Sequence, residues 1–222
     1  MGTATPKVLL PAGIGSGSDR ADMRSVLALT VGLFDADPNC KAIVVCVPAS
    51  WREQCAGAVS FASRITIVEG GATRQESVCR GLLALKGKLD LHDGSIVLIH
   101  DAARCCLTPQ LVQRVVEGVL EHGAVTAAVP IVEALSRAEE GKVSTYVDRQ
   151  DLWSIQTPQG FLLGDLVRAH EEAQHSAEMA LDDATLVARL RPVHIVMGER
   201  LNIKVTNPHD LEVAEVILAG RR

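Results

Sequence analysis

The run Ile96-Val97-Leu98-Ile99 passes directly into His100-Asp101-Ala102-Ala103-Arg104, after which Leu107-Thr108-Pro109 opens a helical pattern. Four branched apolar residues in a row describe a strand buried on both faces, the kind found inside a parallel α/β sheet. The polar residues then fall just past its carboxyl end, where open sheets of this kind bind ligands. An Asp at that position can hold a hard cation. The alanines leave the backbone open to a flat ligand. The stretch predicts a corner that takes a nucleotide and a metal.

The rest of the chain repeats the alternation. Lys7–Pro11 reads as a first strand ending in the turn Ala12-Gly13-Ile14-Gly15-Ser16-Gly17-Ser18, and Val26–Phe34 as a helix stopped by Asp35-Ala36-Asp37-Pro38-Asn39. Strands follow at Ala42–Val47, Ile65–Val68, Ser95–Ile99 and Ala124–Val129, with helices over Trp51–Ala58, Thr73–Lys86 and Thr108–Glu121. Thr73 with Glu76 three residues on forms a capping-box pattern, and Thr108-Pro109 is a second helix start. Strands alternating with helices of this length predict a layered, mostly parallel α/β sheet. The rhythm breaks from Pro130 to Arg149, where two short polar β-branched pieces flank Glu139-Glu140-Gly141-Lys142. That span has no room for a helix and predicts a β-arm, at about residues 131–152, leaving a single domain. Beyond it, Leu152–Phe161 returns to the body. Helical patterns cover Leu163–Gln174 and Asp182–Leu190, strands cover Val193–Val196 and Asn202–Thr206, and a last helix presents Leu211, Ala214, Val216 and Ile217.

A chain of 222 residues suffices for one well-buried α/β domain. Its net charge of −5 shows no basic stripe and argues against nucleic acid as a partner. No apolar run approaches the ~20 residues of a membrane span, and the first residues lack the order of a signal peptide or myristoylation site. The expectation is a soluble, cytoplasmic protein. Its six cysteines show no CxxC spacing and read as reduced, mostly buried thiols.

Several stretches carry chemistry. Gly13-Ile14-Gly15-Ser16-Gly17 fits neither the dinucleotide fingerprint nor the P-loop, yet its backbone N–H groups can cradle phosphates; the same residues also describe a plain surface turn. Gly70-Gly71-Ala72-Thr73-Arg74-Gln75-Glu76-Ser77 sets a glycine pair, an Arg and a Ser around a helix start, with Arg74 and Ser77 on one face. Alternatively it is a cap with a solvated Arg. Arg149 and Lys204 lie in polar clusters beside apolar runs, and converging cations suit phosphate groups. None of the seven histidines has zinc spacing, and His100 reads best as a hydrogen-bonded strand-end residue.

The order of these clusters carries a resemblance. L-P-A-G-x-G-S, G-G-x-x-R-x-x-S, H-D-A-A-R, V-D-R-x-x-L-W, T-P-Q-G-F, D-D-A and N-I-K-V-T-x-P-x-D-L, in that order, resemble the 2-C-methyl-D-erythritol 4-phosphate cytidylyltransferases from about Val8 onward. The resemblance implies a Rossmann-like nucleotidyltransferase domain that binds CTP and a divalent cation, usually Mg²⁺, with a protruding β-arm that embraces a partner subunit in a homodimer. It implies that methylerythritol phosphate attacks the α-phosphorus of CTP in line. Pro11, Ala12, Gly13 and Gly15 would line the CTP; Gly71, Arg74, Ser77 and Ala102 would hold its cytosine side; Asp101 would take the metal, buttressed by Arg104. Arg149, crossing from the arm into the partner's site, and Thr157 would bind methylerythritol phosphate. Asp183 would sit near the site, and Lys204 would neutralise transition-state charge.

The chain departs from that pattern where the family carries an Arg after the glycine-rich turn and, about ten residues on, a catalytic Lys in a Pro-Lys motif. Here Gly17 follows, and Arg20 and Arg24 are the candidate replacements. Glu133-Ala134 stands for the usual Asp-Thr on the arm, and Cys105 for the Pro after H-D-A-A-R. Two other readings are a nucleotide-binding relative without turnover and a ribitol 5-phosphate cytidylyltransferase. The glycine spacing speaks against a dinucleotide oxidoreductase.

Overall fold

The computed structural model describes residues 5–12, 24–176 and 180–221. Gly13, Gly15 and Arg20 lie outside them. Ten strands and seven helices are described: β1 (Pro11–Ala12), β2 (Arg24–Ser25), α1 (Val26–Asp35), β3 (Ile43–Val47), α2 (Arg52–Ala58), β4 (Ile65–Glu69), α3 (Arg74–Lys86), β5 (Ile96–Ile99), α4 (Pro109–His122), β6 (Ala124–Pro130), β7 (Leu135–Glu139), β8 (Lys142–Val147), β9 (Trp153–Leu162), α5 (Leu163–Ser176), α6 (Asp183–Val187), β10 (His194–Met197) and α7 (Pro208–Ala219). Among the described residues no helix is long and apolar enough to cross a membrane.

Local chemistry sets the helix starts. Ser25, Thr73, Thr108, Asp182 and Asn207 each accept an N–H from the first turn of the helix they precede. At the Thr73 cap, Glu76 reaches one residue further back than a capping box requires and takes the Ala72 N–H at 2.8 Å. Gly123 ends α4 at φ 77°, a conformation in which a Cβ is strained.

The central sheet has the order β10-β6-β9-β5. β10 runs parallel to β6, while β9 is antiparallel to both β6 and β5. Thus β5, β6 and β10 share one direction and β9 is inverted among them. The inversion follows from the connection: β9 returns from β6 through a hairpin, without the helical crossover that parallel neighbours need. That hairpin is β7–β8, and its turn places Glu140 and Gly141 at positive φ, matching the twist of two-residue hairpin turns. It stands away from the body, with Val143 and Tyr146 exposed.

Three expectations are corrected. Lys7–Pro11 is not a strand: Lys7–Leu9 form a 3-10 turn, and only Pro11–Ala12 are extended, pairing antiparallel with β2. Pro6 and Pro11 bracket the run and remove ladder donors, while Val8 and Leu9 pack against the Leu27, Val31, Val45 and Val47 cluster. Asn202–Thr206 is likewise irregular, tied to the body by Val205 N–H donating to Ala103 C=O at 2.9 Å. On α7, Val216 is exposed and Ala214 is the buried residue.

β3 and β4 form a separate parallel pair, not hydrogen-bonded to β5. Between β3 and β5 lies a cavity of about 800 Å³, walled by Val44, Cys46, Val97 and Ile99 and covered by α1 and α3. This seam interrupts the sheet ladder: α3 packs on β3 and β4, and α5 and α6 on β9 and β6, while α3 meets α5 across it, with Leu82 in one apolar cluster with Val97, Phe161 and Leu166.

Candidate active site

At the end of β5 the chain turns sharply, with Arg104 N–H donating to Asp101 C=O at 3.0 Å. His100 is packed inside this turn, its Nε2 3.3 Å from the Arg104 carbonyl and its ring edge against Phe34. Burial pushes its pKa down to about 4, so it is a neutral structural residue at physiological pH. Asp101 points the other way. Lys204 Nζ lies 3.0 Å from its Oδ2 and Arg104 Nε lies 3.4 Å from the same oxygen. Burial works to raise the Asp101 pKa, but the Lys204 hydrogen bond and charge, with Arg104 and Arg74 behind them, hold it below the usual carboxylate value.

The network behind Asp101 brings distant segments together. Its backbone N–H donates to Thr157 Oγ1 at 3.0 Å, on β9. Asn202 is fully buried; its Nδ2 donates to the Thr157 carbonyl at 2.8 Å, and its own carbonyl accepts from Arg104 Nη1 at 2.7 Å. These bonds hold the segment carrying Lys204 against the turn after β5.

The loop after β4 supplies the facing side. Gly70 N–H continues from β3 by bonding Val47 C=O at 2.8 Å. Ser77 Oγ accepts the Gly71 N–H at 3.0 Å and donates to Thr73 C=O at 2.9 Å. A Cβ on Gly71 would fall 2.3–2.4 Å from the Glu76 side chain, so the loop closes only over glycine. Arg74, Ser77, Asp101 and Ala102 line the mouth of the large cavity. Arg104, Gln156, Asn202 and Lys204 line a second cavity of about 330 Å³. The Asp101–Lys204 pair stands between the two spaces.

The fold therefore gathers Gly71, Arg74, Ser77, Asp101, Ala102, Arg104, Thr157 and Lys204. It places other candidates elsewhere. Ala12 is fully buried against Val26, Cys105, Cys106, Val205 and Ala214, and among the described residues neither it nor Pro11 lines either of these two cavities. Arg24 stacks over the Phe61 ring at 5.6 Å, an exposed cation-π contact away from Asp101. Arg149 is exposed at the base of the arm and donates to the Val132 carbonyl. Asp183 has no exposure and sits behind Arg74 without facing either cavity; a buried N-terminal residue of α6 cannot touch a substrate in this arrangement.

Residues 20–220 match the family model described as 2-C-methyl-D-erythritol 4-phosphate cytidylyltransferase. The chain belongs to that family. A 2-C-methyl-D-erythritol 4-phosphate cytidylyltransferase from Bacillus pumilus is 37% identical over 202 residues, spanning 89% of this chain and 86% of that protein. One from Synechococcus sp. is 46% identical over 159 residues, 71% and 69% of the two chains. The crystal structure of the Thermus thermophilus enzyme superposes with a TM-score of 0.80 at 34% identity, covering 96% of this chain and 94% of that one.

For the cytidylyltransferase family a divalent cation is the expected helper, and the donors present fit one. Among the described residues no three His, Cys, Asp or Glu side chains gather as a ready-made cage. Mg²⁺ asks less of a protein, taking one or two carboxylates and completing its shell with phosphates and water. Both cations on Asp101 contact Oδ2, which leaves Oδ1 for such an ion.

Sequence reasoning missed two partners within this site. Asn202 stands in the sequence as the first residue of a polar cluster, with nothing local to mark it as the buried link between Arg104 and Thr157. His170 does carry a signal: it falls on the apolar stripe of Leu163, Leu166, Ala169 and Ala173 along α5, where a polar residue needs a partner.

Proposed function

We propose that this chain joins CTP to 2-C-methyl-D-erythritol 4-phosphate, releasing pyrophosphate, as a cytoplasmic homodimer that uses Mg²⁺. The observation that carries the reading is the Asp101 corner: one ionised carboxylate flanked by Lys204 and Arg104, at the join of two cavities, facing Arg74, Ser77 and Ala102. Phosphoryl-type transfers need little covalent help from a protein; positioning and charge neutralisation dominate.

In this reading CTP lies over Gly71, Ser77 and Ala102 with Arg74 beside it, and the second substrate occupies the cavity of Arg104 and Lys204. A phosphate oxygen of methylerythritol phosphate attacks the α-phosphorus of CTP. The new P–O bond forms as the bond to the bridging oxygen of the β-phosphate breaks, and its electron pair leaves with pyrophosphate. Lys204 neutralises charge that grows on the phosphate oxygens. Asp101 holds Lys204 in place and offers Oδ1 to the divalent cation, which when bound screens the phosphates of the nucleotide. Thr157, buried and lining neither cavity, serves from behind by fixing the Asp101 backbone. Arg149 acts from the arm of one subunit in the site of the other, and the exposed arm supports that dimer.

The test is pyrophosphate release from CTP, Mg²⁺ and methylerythritol phosphate by wild type and by Lys204→Ala. Turnover that collapses in the variant is the expected result. Nucleotide binding without release of pyrophosphate would overturn it in favour of a binding protein.

A further inference from the structure

The seam between β3 and β5 passes through the middle of the site. Gly71, Arg74 and Ser77 belong to the β3–β4 side through α3, whereas Asp101, Thr157 and Lys204 belong to the other. Sheet hydrogen bonds do not fix the distance between them. Apolar packing of Leu82 with Val97 and Leu166 joins the two sides, but it does not orient the Arg74 guanidinium.

A closed polar circuit spans the seam behind the site. Arg74 Nη1, at the start of α3, lies 2.6 Å from Asp183 Oδ2, at the start of α6. Asp183 Oδ1 lies 2.9 Å from His170 Nε2 on α5. His170 Nδ1 lies 3.1 Å from Cys79 Sγ, which returns the circuit to α3. Asp183 is fully buried and His170 is 2% exposed. A buried carboxylate weakens a fold unless it is well paired, and an apolar side chain in its place would often serve stability as well. Keeping the charge here makes sense for what it does to Arg74.

We propose that Asp183 and His170 are positioning residues for the nucleotide, holding Arg74 across the seam so that its guanidinium stands toward Asp101 at the cavity mouth. Held to Asp183 by the ion pair, though without hydrogen-bond geometry at Oδ2, Arg74 meets a ligand already partly ordered, and less of the rotamer freedom of a long side chain is lost on binding. Arg74 is close enough to Asp101 to help hold that carboxylate ionised. Cys79, its thiol pushed toward the protonated form by burial, donates to His170 and keeps Nε2 as the donor to Asp183.

The inference rests on the nucleotide reading of Arg74, and the experiment separates the two. Wild type, Asp183→Asn, Arg74→Ala and the double variant are compared in steady-state kinetics, with calorimetric titration of CTP and Mg²⁺ alongside. Asp183→Asn is expected to raise the KM for CTP about tenfold, the scale of a charge-assisted contact, without moving the KM for methylerythritol phosphate. The double variant is expected to be no worse than Arg74→Ala alone. A wild-type KM for CTP in Asp183→Asn, or additive effects in the double variant, would overturn the proposal, whatever happens to the melting temperature. If Asp183→Asn does not fold, His170→Gln carries the same comparison, and the Arg74 Nε–H resonance of the wild type must lose its protection from solvent exchange in that variant. If wild type shows no turnover, the functional reading fails, and the nucleotide titrations of the same variants still decide the positioning role.

Discussion

Thr157 Oγ1 accepts the backbone N–H of Asp101 at 3.0 Å, so a hydroxyl on β9 fixes the residue that ends β5. Thr157→Val keeps the shape and removes the acceptor, leaving a part-buried N–H without a partner. The expected cost is ~1–3 kcal/mol in urea unfolding, with turnover reduced as well. Thr157→Ser, which retains the hydroxyl, recovers most of both.

Lys204→Ala has a signature beyond lost activity. Lys204 is the strongest influence opposing burial at Asp101, so its removal raises the Asp101 pKa. In wild type the stabilisation from ionised Asp101 is complete above the ordinary value of 3.8 and is lost as pH falls through the lower folded value. The variant loses it at higher pH. Carbon-detected NMR titration of the Asp101 carboxyl measures the shift directly; a midpoint that stays put would remove Lys204 as its partner in solution.

His100 also loses stability as pH falls, but from a different cause and over a higher pH range. Its folded pKa, about 4, lies below the ordinary 6.5 because burial disfavours the imidazolium. The unfolded chain therefore takes up this proton first, and wild type should lose roughly 3 kcal/mol as pH falls from 6.5 to 4. His100→Phe places an apolar ring beside Phe34 and should lack that component. Denaturant midpoints of the two proteins across this pH range make the comparison.

Gly71→Ala brings a Cβ into the Glu76 side chain. Because the Glu76 Cβ is itself among the clashing atoms, the loop backbone has to shift, which releases the Glu76 bond to the Ala72 N–H and opens the loop beside Ser77. A higher KM for CTP is expected, with ~1–2 kcal/mol lost in thermal unfolding. Adding Glu76→Ala leaves the Glu76 Cβ 2.4 Å from the new methyl position, so it should return little of the lost stability and none of the loop.

The shared site can be tested by mixing. If Arg149 serves the partner's site, a dimer of Lys204→Ala with Arg149→Ala contains one intact site. Random exchange of the two inactive proteins should then recover about a quarter of wild-type activity. If Arg149 serves its own site, the mixture stays inactive.

The backbone of the Asp101 corner was legible in the sequence because it is local: an apolar strand, a polar turn and the capped start of a helix fall within the fourteen residues from Ile96 to Pro109. The Thr73 and Thr108 caps were legible for the same reason. What the pattern could not show was pairing. Apolar runs report burial, and the reversed direction of β9 depends on the hairpin before it. The absent β3–β5 ladder had no local sign either, and Lys7–Pro11 looked like a strand because β-branched and apolar residues cannot report two prolines bracketing a turn. Arg24 reads in the sequence as a candidate replacement for the catalytic cation, but its contact is Phe61, a residue thirty-seven positions away. Asp183 was placed near the site by resemblance, yet only coordinates distinguish a residue in front of Arg74 from one behind it.

The inverted strand β9 has a mechanical consequence. Trp153 at its start pairs with Pro130 beside the arm, and four residues on Thr157 grips Asp101. The arm is thus rooted in the middle of the sheet, on the very rod whose other bonds set the carboxylate. From Trp153 to Ile155 the strand pairs with β6 alone, and β5 joins only from Gln159 on, so a tilt imposed on the hairpin reaches Thr157 along the one-sided stretch of the rod. Whatever grasps the arm leans on a short lever with its fulcrum in the core.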